Sequence, residues 1–271
     1  MLFTKKDKQL NRSANKKGCL KKLVIGVVII VVFGIISIIA AAKTLNIYGT
    51  SLSTFNEYVE WLNEDVNESA LTKNAIMGND YTAFKEKAMA SGFSAFDLNG
   101  NVNLNIPNIA LTQNLTLQDY ELGAMINNAT QQNDGQEFIK LLELSITEIS
   151  DNLYNLTTVM KFDLSEIKNA IGSQAKNVPS SIYFTCSGMA YTTGSRIQTR
   201  DNTIKINQLS NDKNEKVVGF FKTIAEESYN DDILKIININ NYIVSEILSD
   251  ITNKSGTTPV LGNGTFSFIL K

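Results

Sequence analysis

Histidine is absent from this chain, and cysteine, proline and tryptophan are scarce: two Cys, three Pro and one Trp in 271 residues. Without histidine there is no Ser-His-Asp or Cys-His catalysis, no His-ligated zinc and no ordinary general base near pH 7. The cysteines, Cys19 and Cys186, fall on opposite sides of a long apolar run. The larger part of the chain therefore has no disulfide of its own and must be held by its core. Cys186 sits in an alternating pattern and reads as a small buried hydrophobe rather than a nucleophile. No phosphate-binding glycine loop, dinucleotide fingerprint or calcium loop is present. No metal or cofactor is implied. Two-carboxylate chemistry such as glycoside hydrolysis survives these exclusions, but nothing singles out a pair of acids.

What the chain does have is one uncharged run, Leu23 to Ala42, 20 residues rich in Ile and Val. As a helix it spans about 30 Å, the thickness of a bilayer's hydrocarbon core. A cleaved signal has a shorter apolar core of about 7–15 residues. Ala40-Ala41-Ala42 imitates a cleavage site, but the run before it is too long, and the segment reads as an uncleaved transmembrane anchor. Before it stand eight basic residues against Asp7, a net charge of +7; after it, 17 basic face 26 acidic residues, a net of −9. Positive charge stays inside, so residues 1–22 are expected in the cytoplasm as a basic tail and 43–271 outside the cell membrane. That tail can touch anionic headgroups. Cys19 precedes the span, the wrong order for a lipoprotein cysteine, and reads as a reduced cytoplasmic thiol. The acidic outer part argues against nucleic acid as a partner. Sequons at Asn67, Asn114, Asn128, Asn155, Asn253 and Asn263 read as chance in an Asn-rich composition.

Residues 43–92 are expected to be helical, either a stalk that lifts the rest off the membrane or membrane-proximal helices packed on it. In "SLSTFNEYVEWLNEDV", Leu52, Phe55, Val59, Leu62 and Val66 form one apolar stripe, and a second helix covers Tyr81 to Ala90. From residue 93 the period becomes two. Asn99-Gly100 predicts a hairpin, with Val102, Leu104 and Ile106 on one face. Thr116 is expected to cap a helix over 117–129, with Leu122, Met125, Ile126 and Ala129 buried. Two strands then flank Ser150-Asp151-Asn152, the second with Tyr154, Leu156, Thr158, Met160, Phe162 and Leu164 on one face. A short helix from Ser165 precedes two more paired strands. Val217, Phe220, Phe221 and Ile224 mark one further helix, and Ile243, Ile247 and Ile251 another; "LKIININN" between them fits no single pattern. Gly256–Gly264 reads as a loop and "TFSFIL" as a last strand. The class is α+β: an extracellular domain at 93–271 with a long twisted antiparallel sheet packed on helices.

Several stretches in this order resemble a family. "LTLQDYELGAMINNA" is similar to the helix motif LT-x-x-E-L-x-x-L-I-N of small anchored Gram-positive envelope proteins, the YpmS-like group, with Met125 in place of its usual Leu. "VMKFDLSEIKNAI", "VPSSIYFTCSG", "NTIKINQLS" and "GNGTFSFIL" extend the likeness over roughly 93–271. These proteins are similar to the tubular lipid-binding (TULIP) superfamily, which wraps a curved sheet around a helix and holds lipid in an apolar groove. The resemblance implies a lipid groove lined by Met125, Ile126, Leu156, Met160, Phe162, Ile182, Phe184, Phe266 and Phe268. The same alternation serves a closed core equally well. Three readings follow: a non-enzymatic single-pass envelope protein binding a membrane lipid or lipid-linked molecule, a scaffold or regulator docking another envelope protein through the 52–66 helix, and a carboxylate-based hydrolase of wall glycan.

Overall fold

The computed structural model describes residues 50–131, 139–171, 178–193, 196–227 and 238–271. The anchor expected at 23–42, the cytoplasmic tail, Cys19 and the first half of "LKIININN" lie outside the described residues. Within them, no helix is long and apolar enough to cross a membrane.

The chain builds two antiparallel sheets. Strands β2 (Ile139–Ser150), β3 (Leu153–Asp163), β4 (Ser181–Thr193) and β5 (Arg196–Ile206) form a four-stranded sheet in sequential order. Strands β1 (Leu115–Gln118), β6 (Thr257–Gly262) and β7 (Thr265–Leu270) form a three-stranded one in the order β1-β7-β6. The helices are α1 (Leu52–Leu62), α2 (Glu68–Leu71), α3 (Asp80–Ala90), α4 (Asp119–Gln131), α5 (Ser165–Ile171), α6 (Asn211–Glu227), α7 (Ile239–Tyr242) and α8 (Ser249–Ser255), the last two joined by a π-helical turn, Ile243–Leu248. The α+β class therefore stands. The single long sheet is corrected to a long sheet plus a small one.

Alternation decides which face of the long sheet is inside. Tyr154, Leu156, Thr158, Met160, Phe162 and, just past the strand end, Leu164 are all buried, and on β4 Ile182, Phe184, Cys186 and Ala190 follow suit. Against this inner face lie α4 on β2, the α7–π–α8 helix on β3, β4 and β5, and strand β6 of the small sheet. Gly123 lets α4 lie close: a Cβ there would overlap the Ile76 side chain and crowd Leu144.

The N-terminal helices are not a free stalk. Ser51 caps α1 by accepting the Thr54 N–H at 3.2 Å. The α1 stripe is buried at Phe55, Val59 and Leu62. Phe55 and Tyr58 both meet Phe220 of α6, with ring centroids 5.8 and 5.4 Å apart. From α1 the chain crosses the outer face of the long sheet as a strap. Asn207 donates to the Leu62 carbonyl at 3.1 Å, and Glu68 accepts from Tyr183 Oη at 2.8 Å and Lys161 Nζ at 3.0 Å. At the far edge Glu143 accepts the Lys73 N–H at 2.6 Å, and the Ile76 N–H reaches the Leu142 carbonyl at 2.7 Å. Val66 and Leu71 of the strap cover Leu142, Val159 and Tyr183. That covering explains why Val159 is buried on an otherwise polar face.

Four local expectations are corrected. The hairpin at 93–106 is a single bridge, Phe96 to Val102, because Asp97 takes up the Asn99 and Asn101 N–H groups, each at 2.9 Å, and holds a turn instead of a ladder. Thr116 lies in β1 and pairs its hydroxyl with Ser267 at 2.8 Å. The helix begins at Asp119, where Glu121 reaches back to the Gln118 N–H at 2.8 Å, the acid half of a capping box two residues further on. Gly256–Gly264 contains strand β6: Pro259 is tolerated because β6 is an edge strand. Finally, Ile247 is only half-buried while Val244 and Leu248 are inside. The π-helical turn, in which the Ser249 N–H bonds back to the Val244 carbonyl, shifts the buried stripe by one residue.

Candidate functional site

All nine groove residues expected from the sequence belong to one continuous apolar cluster, each between 0 and 5% exposed. They occupy four elements of it. Leu156, Met160, Phe162, Ile182 and Phe184 stand on β3 and β4, where the register sets Met160 opposite Phe184 and Phe162 opposite Ile182. The Phe162 and Phe184 rings meet edge to face with centroids 5.0 Å apart. Met125 and Ile126 come from α4. Phe266 and Phe268 come from β7, 4.9 Å apart between centroids, opposite Leu117 and Leu115 of β1.

Helices cover this face as the sequence predicts, but not all of the side chains that close it are among those the sequence marks. Phe221 of α6 lies 6.3 Å from Phe184 between ring centroids. Ile239, Ile243, Val244, Leu248 and Ile251 of the α7–π–α8 helix complete the covering layer. Their spacing is irregular across the π-helical turn, so a fixed helical period could not reveal all of them.

Inside this apolar layer sits one polar clasp. Asn240 has no exposed surface. Its Oδ1 accepts from the Thr158 hydroxyl at 2.8 Å, and its Nδ2 donates to the Leu156 carbonyl at 3.0 Å and to Asn202 Oδ1 at 3.4 Å. Gly188, opposite Leu156 on β4, leaves the room; a Cβ there would overlap the Asn202 side-chain oxygen. Cys186, fully buried on the same face, has its thiol pushed up to about 12 by burial.

Four carboxylates are also buried: Asp80, which accepts the Met77 N–H at 2.6 Å, Asp119, Glu121 and Glu143. Each is occupied with the fold. Asp119 accepts the Tyr120 N–H at 2.8 Å and the Ile146 N–H at 3.2 Å, while burial pushes its carboxyl above the usual range. Glu121 pairs with Lys87 at 2.7 Å, and Glu143 holds the strap. Asp119, with Asn127 and Asn263, satisfies backbone groups along the free edge of β2, which blunts that edge against further pairing. Among the described residues no group of three or more Cys, Asp or Glu is placed to hold a metal ion.

No family model, no curated protein and no solved structure matches the chain.

Proposed function

We propose that the chain is a single-pass, non-enzymatic envelope protein, N-terminus in the cytoplasm, whose outer domain holds the apolar chain of a lipid or lipid-linked molecule against the inner face of its long sheet. The observation that carries this reading is the make-up of the covering layer. The α7–π–α8 helix is held to strands β3 and β5 by the buried clasp at Asn240 and, at its exposed start, by Asn202 donating to Asn238 and Thr199 donating to Asn241; the rest of the side chains it turns to the sheet are apolar. An acyl chain that slid between that helix and the sheet would replace one apolar contact by another, at about 0.8 kcal/mol gained per methylene removed from water. Met125 and Met160, unbranched and adaptable, belong to the same apolar cluster. An anchor at 23–42 would keep the domain within reach of the membrane that supplies the lipid.

The scaffold reading relied on a free apolar face at 52–66, and that face is spent on α6 and the sheet. Of the large apolar side chains exposed among the described residues, Met77, Met89, Leu98, Ile149, Val260 and Leu270, none lies on α6 or the α7–π–α8 helix.

The test is photolabelling of the full-length chain in bilayers with a phospholipid carrying a diazirine near the end of one acyl chain. Crosslinks mapped by mass spectrometry are expected at Met160, Phe162, Phe184 and the facing residues of 239–251. Crosslinks confined to 23–42 would mean that only the anchor meets lipid, and the reading would fall.

A further inference from the structure

The outer face of the long sheet divides into two halves. The strap covers the rows that contain Lys161, Tyr183 and Val159. Immediately beyond it the register aligns one hydroxyl side chain from each strand: Ser145 opposite Thr157, Thr157 opposite Ser187, Ser187 opposite Thr203. The next row is Thr147, Asn155, Met189 and Arg200, and the one after it brings Tyr191 beside Gln198. All of these side chains are half-buried or exposed.

This half-face is ordered, polar and positive. Asn155 donates to Thr157 Oγ1 at 3.0 Å and accepts from the Ser187 hydroxyl at 3.0 Å, and the Thr203 hydroxyl donates to the Ser187 carbonyl at 3.1 Å. Polar groups fixed in advance lose little entropy when a ligand arrives. The Tyr191 hydroxyl donates to Gln198 at 2.9 Å, and the Arg200 guanidinium lies 5.5 Å from the Tyr191 ring centre. Arg196, Arg200 and Lys205 all stand on this side of β5, in register with Thr193, Met189 and Thr185. Among the described residues the only acid paired with them is Asp201, 3.7 Å from Arg200. This cationic strip belongs to a chain segment whose net charge is −9, so it does not follow from the bulk composition.

We propose that this half-face binds an extended anionic glycan lying across the strands. Neighbouring strands are about 4.8 Å apart, close to the rise of one sugar in an extended β-linked chain. Each strand would then offer one hydroxyl or amide to successive sugars. The Tyr191 ring supplies a flat apolar surface for a sugar face, and Arg200 and Arg196 meet carboxylate or phosphate groups on the chain. The surface lies on the opposite side of the sheet from the apolar face, so it is independent of the lipid reading. It uses only the outward orientation of the domain, where such glycans are found.

The experiment is calorimetric titration of the full-length chain in detergent micelles with peptide-free peptidoglycan glycan strands, whose sugars carry carboxylates. Neutral chitin oligosaccharides of equal length serve as the comparison. Binding of the anionic strands is expected, weakened about tenfold by Arg200→Glu and by Tyr191→Ala, and weakened by added salt, while the unfolding midpoints stay unchanged. Both replaced side chains lie at the surface, and Asn155→Asp, which adds a negative charge to the same row, gives a third reading of the effect. No binding, equal binding of neutral and anionic chains, or binding that ignores all three substitutions would overturn the proposal. Photolabelling by lipid on the inner face would be unaffected by any of these outcomes.

Discussion

Cys186 shows how much a single side chain is governed by its address. In sequence it is the one cysteine beyond the long apolar run. In the fold it has no exposed surface, and burial lifts its ionisation to about 12. Alkylation needs the thiolate, so at pH 8 the native chain should lose roughly a thousandfold in rate against an ordinary thiol of pKa about 8.5 from ionisation alone. Peptide-resolved iodoacetamide labelling should therefore find Cys186 inert in the native protein and reactive in denaturant. Comparable rates in the two conditions would show the inner face open to water. Asn240 makes the complementary point. A buried amide is costly unless satisfied, and here the Thr158 hydroxyl, the Leu156 carbonyl and Asn202 satisfy it. Its place is set by a partner 82 residues away in the chain, which no local pattern could announce.

At the level of elements, the sheet depends on an irregularity at Gly188. The pairing of β4 with β5 shifts between Ser187 and Met189, and Asp201 takes a positive φ of 54° on the opposite strand. Gly188→Ala pushes a methyl into Asn202 and against the Arg200 carbonyl, disturbing the clasp that holds the covering helix. Overpacking of this kind costs about 1–3 kcal/mol. Gly219→Ala is the matched control: at this exposed position of α6 nothing stands within 4 Å of the added Cβ, and the change should stabilise by about 0.5–1 kcal/mol. Urea midpoints are expected to move in opposite directions; a shift of the same sign in both would refute the role given to Gly188. The same irregularities mark the limit of what could be read from sequence. The strands β2 to β5 were legible because one face is apolar and alternation survives along most of each strand. The faces of β3 and β4 that carry the candidate site were legible for that reason. Strand β6 was hidden by Pro259 and its flanking glycines, and the buried stripe past residue 243 was displaced by a π-helical turn. The strap was invisible, since Val66 and Leu71 find their partners on β2, β3 and β4 rather than beside themselves in sequence.

For the molecule as a whole, the decisive contact is between its first described helix and its body. Were residues 43–92 a stalk, a chain beginning at Asp80 would keep the stability of the intact domain. The structure argues otherwise. Helix α1 buries Phe55, Tyr58, Val59 and Leu62 in the common cluster, and the strap seals Leu142, Val159 and Tyr183. Removing a fully buried apolar side chain forfeits about 1.5–3 kcal/mol, so the loss of α1 alone approaches the roughly 5–15 kcal/mol that holds a typical domain together. Truncation also strips the partners from buried Glu143, which accepts the Lys73 N–H at 2.6 Å, and from Asn207, which donates to the Leu62 carbonyl at 3.1 Å. A chain starting at residue 80 should therefore express as an aggregating or dye-binding species without a cooperative thermal transition. One starting at residue 50 should unfold cooperatively. If the shorter chain melts as sharply and at the same temperature as the longer one, α1 and the strap are accessories, and the outer face proposed for glycan would extend over the rows they cover.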